Sequence, residues 1–143
     1  MPILSACNDL RALTELDSSN RHLFATLGGI RRIVDFLSPM GPHAPYATHI
    51  ARTIPCVMDP EARRLFHEYA SGVDGDGEVR YRYLLALLLS PDPDDREHAC
   101  MAIASVSQES SANRNALFDH GISQQVACMH PPNMASPQMW RVA

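Results

Sequence analysis

Lysine is missing from this sequence altogether: all twelve basic residues are arginine. That excludes the phosphate-binding lysine of a P-loop, a Schiff-base lysine and a lysine general base. Aromatic residues are sparse at 6%, and Trp140 is the single tryptophan. Long apolar runs are missing too. The longest, Tyr83 to Leu89, is far shorter than the roughly 20 residues a bilayer span needs, so no membrane insertion is expected. The segment Met1-Pro2-Ile3-Leu4-Ser5-Ala6 lacks the basic start and long apolar centre of a secretory signal. The cysteines at 7, 56, 100 and 128 have no paired spacing, which favours free, buried thiols in a reducing compartment over a disulfide framework. A cytoplasmic or nuclear protein is the expectation. A formal charge of -4 makes nucleic acid an unfavoured partner.

What is present is a globular balance of 45% apolar and 20% charged residues over 143 positions, enough to bury a core. Eleven prolines would break long helices unless they fall between short ones. The chain also resembles itself. At an offset of 93, Ala6-Cys7 meets Ala99-Cys100, Asn20-Arg21 meets Asn113-Arg114, and Gly28 meets Gly121. At an offset of 52, Ser38-Pro39 meets Ser90-Pro91 and Leu65-Phe66 meets Leu117-Phe118. Ala6, Ala47 and Ala99 are then equivalent, which implies a unit near 40 residues with about ten inserted in one copy. The turn-rich stretch Val73 to Val79 is where the insertion falls.

Each unit reads as a short, a medium and a longer helix. Asn20 to Leu27 is a short helix, broken by Gly28-Gly29. Ile30, Ile33, Val34 and Leu37 then form one apolar stripe, and Ala47, Ile50, Ala51 and Ile54 form another. In the next copy the stripes are Leu85, Ala86 and Leu89, then Ala99, Ala102, Ile103 and Val106; Ile122, Val126 and Met129 open the last. Most prolines mark turns between helices. Pro55 is the exception and should shorten or kink its helix.

A short helix, a glycine break, an apolar second helix and a small-residue third helix, carried by Asn20 to Ile30, Asn113 to Ile122 and His98 to Ala104, resemble the armadillo repeat. HEAT-type units share the length, but the glycine break favours armadillo. The resemblance implies an all-α fold, a right-handed α-α superhelix in which stacked units jointly bury faces that no single unit can. The units would be a partial repeat at 1-19, a repeat at 20-60, one with the loop insertion at 61-112, and a partial repeat at 113-143. It further implies a concave groove of third helices that grips an extended peptide segment of a partner protein. The family's recurring groove tryptophan falls at Asn8, His49 and Met101, and its asparagine at Ala12, Thr53 and Ser105, so neither motif is kept. Trp140 lies within one residue of the tryptophan position in the last unit. Groove candidates are therefore Asn8, His49, Thr53, Met101 and Ser105, with Arg52 and Arg141 at the edge. Neither end carries a polar capping repeat, so a fragment of a longer array, able to self-associate through its uncapped ends, is the expectation.

Other constellations favour plain readings. Asp74-Gly75-Asp76-Gly77-Glu78 superficially matches a calcium loop but lacks its twelfth-position glutamate, so it reads as a solvated loop that could serve as a contact site. His120, Cys128 and His130 lack zinc-site spacing, and no metal or other cofactor is expected. Asp94-Asp95 belongs to a turn and reads as a helix cap. The pairs Arg31-Arg32 and Arg63-Arg64, with Arg80 and Arg82, suit solvated helix faces. Aligned across units, they would instead suit an acidic partner strand or RNA. No catalytic constellation is present. The sequence thus predicts a non-catalytic interaction scaffold, with a nucleic-acid-binding helical repeat as the alternative.

Overall fold

A computed structural model of the protein describes residues 2–121. The described chain is all-helical: α1 (Pro2–Leu16), α2 (Ser19–Thr26), α3 (Gly29–Phe36), α4 (Ala47–Val57), α5 (Pro60–Ala70), α6 (Tyr81–Ala86), α7 (Pro93–Ser107) and α8 (Ser111–Asp119). Short 3₁₀ turns at Ala44–Tyr46 and Leu87–Leu89 lead into α4 and out of α6.

The punctuation is chemical. Gly28 sits between α2 and α3 at φ +86°, a left-handed conformation that glycine adopts without steric cost. Asp59 and Asp92 cap α5 and α7 by accepting from the amides of Ala62 (2.7 Å) and Asp94 (2.9 Å). Each is followed by proline at the first helical position, where the missing N–H costs nothing. The capping role expected of Asp94-Asp95 thus belongs to Asp92. Asp95 instead accepts hydroxyl hydrogen bonds from Thr48 of α4 and Ser90, each at 2.6 Å. Pro55 lies inside α4, which ends two residues later; α4 has 11 residues where α1 and α7 have 15.

α4 packs along both α1 and α7, while α5 packs along both α2 and α8. Helices α1, α4 and α7 thus lie side by side in chain order, and so do α2, α5 and α8. The stripes Ile30–Leu37, Ala47–Ile54 and Ala99–Val106 are buried as expected. The stripe expected at Leu85, Ala86 and Leu89 is out of phase, because Ala86 is exposed and Leu89 is 56% exposed. The buried set is Tyr81, Tyr83, Leu84, Leu85 and Leu88. α6 starts at Tyr81, directly after the 73–79 insertion, and that start fixes the phase. Ala6, unlike Ala47 and Ala99, is exposed.

The 73–79 segment is a tight hairpin, not an open loop. Val73 and Val79 form an antiparallel bridge. Asp74 Oδ1 accepts from the amides of Asp76 (2.8 Å) and Glu78 (3.0 Å), and its other oxygen accepts from the Tyr83 hydroxyl. The Tyr83 bond, then the backbone amides, hold the Asp74 carboxyl below its ordinary pKa. The least exposed acid of the hairpin is thereby committed to folding.

Candidate functional site

Two clefts run along the seams between the longer helices. The first, of about 200 Å³, lies between α1 and α4 and is lined by Leu4, Cys7, Asn8, Arg11, His49 and Arg52. The second, of about 630 Å³, lies between the ends of α4 and α7. Its walls are Pro55 and Met58 on one side and Met101, Ala104 and Ser105 on the other.

These clefts sort the expected groove residues. Asn8, His49 and Arg52 are exposed and come together in the first cleft; Met101, 51% exposed, and Ser105 come together in the second. Thr53 joins neither. It is 1% exposed, and its hydroxyl donates to the Ile50 carbonyl one turn back at 2.7 Å. Its register position faces the core, so it offers nothing to a partner. Arg141 lies outside the described residues, as do Trp140, Cys128, His130 and the stripe from Ile122.

The floor of the second cleft is a helix end held by side chains. Three successive carbonyls at the C-terminus of α7 each accept a donor from another helix. Arg63 Nε reaches Ser105 O (2.8 Å), Asn113 Nδ2 reaches Val106 O (2.8 Å), and Arg114 Nη1 reaches Ser107 O (2.9 Å). Such carbonyls have no partner within their own helix, and cations there also meet the negative end of its dipole. Arg63 Nη2 also donates to Gln108 Oε1 at 3.3 Å. Asn113 is fully buried; it donates in addition to Arg63 O (3.1 Å) and accepts from the Tyr81 hydroxyl. Since Tyr81 donates to Asn113, it accepts from His67 Nδ1 at 2.8 Å, which places the proton of that imidazole on Nδ1.

Arg21 of α2 also lines the second cleft. Its Nε is shut away from solvent without a hydrogen-bond partner. Sequence reasoning passed over Arg21 and Arg114. The signal was available, because the offset of 93 superposes them, but it served only to set the register. The arginine pairs do not act as pairs. Arg63 enters the cleft, whereas Arg64 turns outward to Glu61 (2.6 Å) and Glu68 (3.1 Å). Arg80 stacks on Tyr69 and faces Asp35, Arg82 faces Glu78, and Arg31 stacks on the Tyr69 ring.

Among the described residues there is no cluster of three metal-ligating side chains, and no helix is long and apolar enough to cross a membrane. Cys7, Cys56 and Cys100 are free, and burial raises the Cys7 and Cys100 thiols above their ordinary pKa. Comparison with protein families, curated proteins and solved structures gives no match to the chain.

Proposed function

We propose that the chain forms an armadillo-like right-handed α-α superhelix and acts as a non-catalytic scaffold, gripping an extended segment of a partner protein along α1, α4 and α7. One observation carries the repeat reading. Asn20 Nδ2 donates to Leu13 O at 2.7 Å, and Asn113 Nδ2 donates to Val106 O at 2.8 Å. Both partners of the second bond stand at the offset of 93 from those of the first. Gly28 and Gly121 at the same offset both have positive φ, +86° and +105°. Two bonds at one offset support units of the same construction, each tying its short helix to the end of the preceding long one.

Units built this way bury their faces only against neighbours, leaving the seams between long helices open to a ligand. The two clefts at the α1/α4 and α4/α7 seams fit that role, and Asn8, His49, Arg52, Met101 and Ser105 are the residues that would meet the partner. A protein segment is favoured over nucleic acid because Arg64, Arg80 and Arg82 each face a carboxylate of this chain. A cytoplasmic or nuclear setting completes the reading, since free thiols suit a reducing compartment.

The test is amide chemical-shift mapping with a degenerate pool of nine-residue extended peptides. Shifts concentrated on Asn8, His49, Arg52, Met101 and Ser105 are expected. Shifts confined to α3 and α6 would refute the groove.

A further inference from the structure

The α4/α7 cleft is cationic and has no acid of its own. Arg21, Arg63 and Arg114 come from three different helices, α2, α5 and α8, and line one cleft that includes no carboxylate. None of the three is in an ion pair among the described residues, while Arg64, Arg80 and Arg82 all are. Residues 122–143 contain no Asp or Glu, so that segment brings no acidic side chain either. In a chain of net charge -4, three gathered and unneutralised guanidinium groups repel one another, and an anion relieves that cost.

Their donors are mostly unspent. A guanidinium carries five N–H donors. Arg63 uses two of its own, on Ser105 O and Gln108 Oε1, and Arg114 uses one, on Ser107 O. The Arg21 side chain has no hydrogen bond to a described residue, and its Nε is buried unpartnered. Arg63 and Arg114 are thereby fixed by the end of α7, while Arg21 approaches from across the cleft with its donors free. The remaining wall, Pro55, Met58 and Met101, is apolar.

We propose that this cleft takes a phosphorylated side chain presented on an extended segment of a partner protein. The inference rests on the scaffold reading above and names the chemistry of its ligand. A phosphoryl group carries about -1.5 to -2 charges and three strong acceptor oxygens. It therefore matches three guanidinium groups better than a carboxylate, with one charge and two oxygens. The apolar wall suits the peptide beside it. A nucleic-acid strand would need the cationic track to continue, but Arg64, next to Arg63 on α5, is held by Glu61 and Glu68.

The test measures fluorescence anisotropy of the 143-residue chain with degenerate nine-residue peptide pools fixed at the centre as phosphoserine, serine or aspartate, and with polyuridine RNA. The phosphoserine pool is expected to bind roughly tenfold or more tighter than the serine pool, since charge-assisted bonds to one oxyanion are replaced by none. Arg21→Gln, chosen because that side chain makes no hydrogen bond to a described residue, should remove about tenfold of the phosphoserine affinity and so narrow the gap between the phosphoserine and serine pools. Arg32→Gln, on an exposed site outside the cleft, should change neither. Equal binding of the phosphoserine and serine pools would overturn the proposal and leave the scaffold reading standing. RNA binding with a steep salt dependence and no phosphoserine preference would overturn it in favour of nucleic acid. If no pool binds, the proposal and the peptide groove fall together.

Discussion

Asn113 and Asn20 occupy the same place at the offset of 93 and make the same bond to the preceding long helix, yet their surroundings differ. Asn20 is half-buried, and its side-chain amide donates to Leu13 O. Asn113 is fully buried, donates to Val106 O and Arg63 O, and accepts from Tyr81. Truncating Asn20 to alanine loses one bond whose acceptor water can reach, a cost of about 0.5–1 kcal/mol. Truncating Asn113 strands the Val106 carbonyl and the Tyr81 hydroxyl in a dry interior, at about 1–3 kcal/mol for each unsatisfied group. Arg63 O is the lesser loss, because a carbonyl inside a helix already has an i+4 amide. Tyr81 retains His67, which lowers its share. The sum for Asn113→Ala is about 3–4 kcal/mol, or about 10 °C in Tm for a domain of this size. Asn113→Asp keeps the shape and the Tyr81 acceptor but turns two donations into repulsions, so it should cost at least as much. Urea denaturation followed by circular dichroism, with the slope checked for constancy, measures all three variants. An Asn20→Ala cost equal to that of Asn113→Ala would refute the assignment of the difference to burial. An Asn113→Asp variant as stable as the parent would show that packing, not hydrogen bonding, is what the site supplies.

A Cβ at Gly29 would lie 2.4 Å from the Phe24 ring, so Gly29→Ala should destabilise by about 1–3 kcal/mol; in a Phe24→Ala background most of that cost should vanish, and strict additivity in a double-mutant cycle would contradict the contact. Gly28→Ala meets no atom within 4 Å but must adopt φ +86°, so it should cost about 1–2 kcal/mol with no dependence on Phe24. The Asp95 carboxyl is held below its ordinary pKa by the Ser90 hydroxyl first and the Thr48 hydroxyl second. Its folded pKa is thus lower than its unfolded one, so its contribution is present above about pH 4 and fades as pH falls through the folded value; the stability gap between the parent and Asp95→Asn should narrow over that acid range, and a constant gap in pH-dependent urea midpoints would disprove the linkage. Cys7 and Cys100, raised by burial, should alkylate with iodoacetamide at pH 8 more slowly than a free cysteine peptide, as read by mass spectrometry of the native protein.

Periodicity made most of the helices legible. The α3, α4 and α7 stripes are read directly because an apolar residue every third or fourth position has one geometric meaning. The α6 stripe was misphased because the 73–79 hairpin decides where that helix begins. Its closure depends on Asp74 capturing two amides and Tyr83, contacts that no spacing rule encodes. Thr53 shows a second limit. A family register places its position, but burial depends on how far each helix is rotated against its neighbours, and here the hydroxyl is satisfied inside its own helix.

The cleft arginines were hidden for a related reason. In sequence, Arg63 and Arg64 are an equivalent pair, and Arg21 and Arg114 are isolated. One residue along a helix turns a side chain by about 100°, so adjacent arginines must face different ways. Arg64 turns to Glu61 and Glu68 on its own helix, while Arg63 turns to the end of α7. A cationic site is therefore assembled from one position in each of several stacked helices and not from neighbours along the chain. Arg21 and Arg114 recur at the offset of 93, while Arg63 stands one residue from Ala62, the equivalent position at the offset of 52; all three stay out of ion pairs among the described residues, and the Arg63-Arg64 doublet is divided between two faces.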